Sequence, residues 1–302
     1  QPYHLVMAGL PELLYQDTWT AEQKLAVFEA VTLDDIKAYQ QLLFSVGQVD
    51  MLVHGNYRQA DAKHYAAQVT KSLLKQETQA RPVKVVHVPE NQFSYRVQSD
   101  YDDATLALYI QSSSTDKVAR AAMGVSAQLM RADFYTKLRT EQQLGYVVSS
   151  GAYPLMDVPG LFFLVQSPVA GPVELQAAID TFIEGRLQAL NTLTAEEFET
   201  QRNAVLSLLS QGPKSLHEQS EEYWRDISQG YYQFDFKPQL ISAMQSLSFA
   251  QWREYFVDDV LSNSRRMVLY TSGHFSEEGV VKGEAVSDVS AFKSSLPKYS
   301  FQ

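Results

Sequence analysis

Cysteine is absent from this 302-residue chain. Disulfides, thiolate catalysis and cysteine-type zinc sites are therefore excluded outright. Cytoplasm and periplasm both tolerate that absence. No uninterrupted apolar run of about 18 residues occurs, which argues against a membrane-spanning helix. No Lys/Arg cluster stands out. With 25 basic against 35 acidic residues the net charge is −10, and nucleic acid and anionic membrane are poor partners for such a chain. G-x-S-x-G elbows, P-loops and G-x-G-x-x-G turns are missing, as are H-E-x-x-H and H-x-x-E-H. The first residue is Gln1 and no signal-peptide pattern follows it, so the expectation is a piece of a longer polypeptide.

What is present is ordinary globular material, with 45% hydrophobic and 20% charged residues, enough for one large or two modest domains. Residues 8–15 read as a short apolar helix. Thr20-Ala-Glu-Gln23 reads as a capping box, and Thr32-Leu-Asp-Asp35 opens a second helix with acid in its first turn. Met51–His54 reads as a strand stopped at Gly55, followed by a helix over 58–74 and a polar linker over 76–82. The texture then changes to strands, at 83–88, around Phe93–Val97 and around Leu106–Ile110. A long helix from about Asp116 to Arg139 follows, and then strands from Tyr146 and over Leu161–Val165. The remainder reads as helices, including a capping box at Thr194–Glu197, with a last strand over Arg266–Tyr270. Thr32 and Ser248 each open a helix that leads toward a strand ending in glycine, at Gly55 and Gly273, which suggests that two related domains end alike.

Six histidines are candidate metal ligands: His4, His54, His64, His87, His217 and His274. His217 and Glu221 share a helix face at i, i+4, but the face is acidic and no third ligand is evident. His54 and His87 read as structural. Tyr223, Trp224 and Ile227, with Phe234 and Phe236, read as core packing. The stretch that carries most chemistry is Leu138-Arg-Thr-Glu-Gln-Gln-Leu-Gly-Tyr146. Arg139 closes an amphipathic run, Tyr146 opens a strand, and a polar elbow ending in Gly145 lies between them. Five fixed guanidinium donors and a phenol could grip a carbonyl oxygen. A helix-end cation and a strand-initiating tyrosine account for the same pair without any catalysis.

Leu138–Val148 resembles the Leu-Arg-Thr-x-Glu-Gln-Leu-Gly-Tyr signature in the C-terminal half of the pitrilysin/insulysin (insulinase-like) family. Val53-His-Gly-Asn56, Gly160–Phe163, Val165-Gln-Ser167, Glu222–Ile227 and Phe234-Asp235 resemble family landmarks in the same order, together covering roughly residues 30–270. The resemblance implies an α/β fold of the α+β type, a mostly antiparallel sheet with helices packed on one face. Residues 1–82 would be the C-terminal part of a third domain and 83–302 a complete fourth. It implies a zinc metalloendopeptidase that degrades peptides and small proteins in an enclosed chamber. Zinc would lie in the N-terminal half of the same polypeptide, with no cofactor in this chain. Arg139 and Tyr146 would hold the substrate backbone and help stabilise the oxyanion, the Tyr146 hydroxyl facing the chamber with no buried partner. A basic cluster that some members carry is reduced here to Pro213-Lys214, so polyanion binding is not carried over. The rival is a non-catalytic scaffold or partner subunit of the same superfamily. A periplasmic location follows from bacterial members alone.

Overall fold

Asp116 and Pro172 start the two helices that back the principal sheet, and both do so by local chemistry. The Asp116 carboxylate accepts from the Ala119 N–H at 2.7 Å, and Pro172 occupies a first-turn position where its missing N–H costs nothing. The computed structural model describes residues 1–275 and 279–301. In chain order the elements are α1 (Pro2–Leu14), α2 (Ala21–Phe28), α3 (Leu33–Leu43), β1 (Val46–Gly47), α4 (Gln59–Leu73), β2 (Gln76–Glu77), β3 (Val83–Val86), β4 (Gln92–Arg96) and β5 (Ala104–Gln111). Then come α5 (Lys117–Tyr135), a π turn (Thr136–Glu141), β6 (Val147–Ala152), β7 (Gly160–Ser167), α6 (Pro172–Ala189) and α7 (Ala195–Leu209). The last are α8 (Leu216–Ser228), α9 (Phe236–Ser246), α10 (Phe249–Phe256), a second π turn (Val257–Leu261), β8 (Arg266–Thr271), β9 (Glu284–Ala285), α11 (Val289–Ser295) and β10 (Lys298–Phe301).

The chain divides into two compact units. The larger takes in residues 1–18, 84–211 and 237–299 and holds a six-stranded sheet in the order β6-β7-β5-β8-β4-β9. Three pairings, β6–β7, β7–β5 and β5–β8, are antiparallel, and β8–β4 and β4–β9 are parallel. β5 is buried along its whole length, as a central strand covered on both faces must be. On one face Phe134 of α5, Phe163 of β7 and Phe182 of α6 pack edge to face with centroids 5.1–6.0 Å apart. Deeper in that layer Trp252 of α10 is fully buried and donates to Ser126 Oγ of α5 at 3.1 Å. The opposite face is covered by α1. A Cβ on its Gly9 would come within 2.9 Å of the Leu269 side-chain tip of β8, so the helix packs closely here.

The smaller unit comprises residues 19–83, 212–236 and 300–302. The Thr20 capping box forms as the sequence predicts, and Thr32 opens its helix with a capping box of its own to Asp35. The expected strand at Met51–His54 does not; the chain pairs instead at β1 and β2, which lie parallel. A strand needs a neighbouring ladder, and 51–54 has none among the described residues. α2, α3 and α4 bury no residue, and Leu25, Phe28, Ile36 and Tyr39 stand exposed. His54 is structural in the expected sense, its Nδ1 lying 2.8 Å from Ser220 Oγ and its ring edge-on to Tyr223. Trp224 and Phe234, read as core, are exposed instead, while Ile227 is buried. The weakly patterned tail from Phe275 includes residues 276–278, which lie outside the described residues.

Candidate functional site

The long helix does not run straight to Arg139. It widens at Thr136 into the π turn, where the Gln142 N–H reaches back five residues to the Lys137 carbonyl. Two leucines pin this elbow. Leu138 is fully buried and Leu144 nearly so, and the Leu144 N–H bonds to the Leu138 carbonyl at 3.0 Å. Between them Gln143 takes a left-handed φ of 52°, which turns the chain out of the helix. Gly145 follows because nothing larger fits: a Cβ there would lie 2.1 Å from the Gln166 carbonyl oxygen on β7.

The elbow brings Arg139 and Tyr146 onto one short piece of backbone. Arg139 Nη1 donates to the Gly145 carbonyl at 2.6 Å, and that carbonyl belongs to the peptide bond leading into Tyr146. No other partner engages Arg139 among the described residues. Tyr146 is 46% exposed. Its hydroxyl is not free of partners, contrary to expectation. It donates to Asp103 Oδ2, at the head of β5, and accepts from Gln166 Nε2. Gln166 is fully buried in β7, and its amide is held from both ends. Nε2 also donates to Asp103 Oδ2 at 2.8 Å, and Oε1 accepts from the Tyr3 N–H at the start of α1 at 3.2 Å. That N–H is one of the donors a helix start leaves unpaired. Asp103 is in turn seated by Gly273, whose φ of +58° lets the end of β8 lie against the Asp102–Ala104 backbone.

This arrangement fixes the state of the phenol. Its hydrogen bond to Asp103 is the main reason the Tyr146 pKa is raised above its ordinary value. Desolvation and the carboxylate charge add to that, and the Gln166 amide opposes it. The hydroxyl stays protonated and remains a donor. Asp103 and Gln166 are the neighbours of Tyr146 that sequence reading missed. The legible signals were an amide closing an otherwise apolar strand, Leu-Phe-Phe-Leu-Val-Gln166, and the acidic pair before β5.

His217 and Glu221 are exposed, and among the described residues no cluster of three His, Asp or Glu side chains could hold a metal ion.

A helix that widens, breaks on a buried leucine and delivers a tyrosine to an edge strand is seen here on the fold of pitrilysin. The pitrilysin crystal structure superposes on all of this chain with a TM-score of 0.86, at 22% identity and over 33% of its own length. Residues 125–224, which include the elbow, match the family described as PQQ synthase PqqF-like, C-terminal lobe domain 4. The peroxisomal insulin-degrading enzyme-like 1 of Arabidopsis thaliana is 23% identical over 98% of this chain and 33% of its own length. Protease 3 of Salmonella typhi is 26% identical over 83% and 26%. The chain is similar to insulinase-like domains of the C-terminal lobe. It spans between a quarter and a third of these relatives.

Proposed function

We propose that this chain is the C-terminal half of a zinc metalloendopeptidase that degrades peptides and small proteins in an enclosed chamber. Residues 1–82 would end a third domain and 83–302 form the fourth. The N-terminal half of the same polypeptide is its partner and carries the zinc. This half supplies the grip on the substrate.

Arg139 and Tyr146 carry that role. The hydroxyl of Tyr146 is a protonated donor that bonds Asp103. An arriving carbonyl oxygen takes that donor by a rotation about the C–O bond, and the Gln166 amide keeps Asp103 satisfied meanwhile. As negative charge develops on the oxygen, the donor gains strength where it is needed. Arg139 spends one arm on Gly145 and offers the rest of its fork to backbone oxygens. The observation that supports this most is the contrast within one elbow: its leucines are buried, whereas its tyrosine ring is half exposed and its guanidinium makes one bond, to Gly145.

The test uses the full-length polypeptide and a fluorogenic peptide. Arg139→Ala should raise KM and lower kcat together, and Arg139→Lys should recover little, because an ammonium lacks the planar fork. Unchanged kinetics in both variants would overturn the assignment. Absence of metal and of any cleavage by the full-length polypeptide would replace it with the scaffold reading.

A further inference from the structure

The six-stranded sheet has two edges, and they are finished differently. β9 is a two-residue stub, which offers little to a stray strand. β6 is six residues long, reads Val-Val-Ser-Ser-Gly-Ala and carries neither charge nor proline. Proteins usually guard such an edge, and this one is unguarded.

Its hydrogen-bonding phase can be fixed. The Tyr153 N–H bonds to the Gly160 carbonyl at 2.7 Å, just beyond the register that pairs Ala152 with Leu161. In an antiparallel ladder alternate residues face the partner. Val147, Ser149 and Gly151 therefore bond to β7, and the N–H and C=O groups of Val148, Ser150 and Ala152 point away from it. The β7–β5 ladder has the matching phase, since the Ser112 N–H bonds to the Pro159 carbonyl at 3.0 Å. The outward groups have no partner among the described residues.

A cavity of about 680 Å³ runs beside this edge, between it and α5. Gln128, Arg131 and Tyr135 of α5 and Thr136 of the π turn form its far wall, and Val148, Ser149 and Ser150 its near wall. Ser150 is only 4% exposed, and its Oγ is buried without a hydrogen-bond partner. A buried hydroxyl left unpaired costs stability unless something else bonds it.

We infer that β6 and α5 form a groove that takes an extended peptide as an added strand, paired to the outward N–H and C=O groups of Val148, Ser150 and Ala152. Main-chain pairing supplies the affinity, and the mixed polar wall of α5 admits many side chains, the usual division in strand addition. Tyr146 immediately precedes β6 in the chain. The inference rests on the proposed function only in taking a peptide as the occupant.

Residue-resolved hydrogen exchange on the 302-residue chain tests it, with a blocked peptide Lys-Val-Thr-Val-Thr-Lys and the same peptide N-methylated throughout. The unmethylated peptide should slow exchange at Val148, Ser150 and Ala152 by about tenfold or more and leave Val147, Ser149 and Gly151 as they were, and the methylated peptide should do neither. No protection, equal protection by both peptides, or protection spread evenly over both sets would overturn it. Protection together with normal turnover in the full-length Tyr146→Phe variant would keep the groove and remove the catalytic reading. Lost turnover without protection would do the reverse.

Discussion

The larger unit makes the same turn twice. α5 widens into a π turn at Thr136–Glu141 and delivers β6; α10 widens at Val257–Leu261 and delivers β8. In each, the residue after the turn bonds back five residues, Gln142 to Lys137 and Ser262 to Val257. In each, buried leucines or valines pin the end, Leu138 and Leu144 in one and Val260 and Leu261 in the other. Beyond that the two diverge. The second elbow spends its polar groups on itself. Asn263 is buried, donates to the Gln111 and Asp259 carbonyls at 2.7 and 2.9 Å, and accepts from the Arg265 N–H at 2.8 Å. Arg266 returns to the Asn263 carbonyl at 2.7 Å, and Arg265 pairs with Glu90. The first elbow leaves a half-exposed phenol and a guanidinium with a single recorded bond. The motif itself is therefore structural. What singles out one copy is polar capacity left unspent.

Three substitutions would break or sharpen this contrast. The largest effect belongs to Gly145→Ala, because its Cβ would meet a backbone carbonyl rather than a movable side chain. A loss of about 3 kcal/mol in urea denaturation is expected, with displacement of Tyr146. A loss well under that would mean the elbow is seated by its leucines alone. Asn263→Ala comes next. It orphans two carbonyls and one N–H in a buried place, so stability should fall by about 2 kcal/mol while turnover per folded full-length molecule is kept. Reduced turnover at unchanged stability would erase the distinction between the elbows.

The smallest effect is on titration. Asp103→Ala should bring the Tyr146 phenol back toward its ordinary pKa, because the carboxylate is the main cause of the rise. Ultraviolet difference titration against Tyr146→Phe isolates that one ring. A phenol raised in the folded state adds stability below its unfolded pKa of about 10, and that stability is lost as pH climbs through the folded value. The alkaline limb of the wild-type stability curve should accordingly lose part of its slope in Asp103→Ala. An unmoved phenol would show that Asp103 does not hold it.

Much of the larger unit could be read from periodicity and capping. The alternation at Leu106, Leu108 and Ile110, the apolar run over Leu161–Val165, the box at Thr194 and the helix start at Ser248 all became the elements they suggested. These signals are local, and the residues between a cap and a glycine settle them. The parallel β8–β4 pairing and the cover that α1 gives to the second sheet face were not legible, because each depends on segments far apart in sequence. The smaller unit was read least well. Met51–His54 has strand composition but no neighbour to pair with among the described residues. At the site, Arg139 and Tyr146 were visible because one short motif carries both. Asp103, Gln166 and the Tyr3 N–H were not, since they converge from β5, β7 and α1 and share no spacing.

The central claim is that the Tyr146 hydroxyl acts on a substrate and does not merely close a sheet end. The most direct measurement is turnover per folded molecule of Tyr146→Phe in the full-length polypeptide, taken with its thermal midpoint. Gln166 still donates to Asp103 in this variant, so the midpoint should stay close to wild type. Turnover should fall on the order of 100- to 1000-fold, as for loss of one oxyanion donor. Normal turnover with a lowered midpoint would contradict the account and make the first elbow as structural as the second.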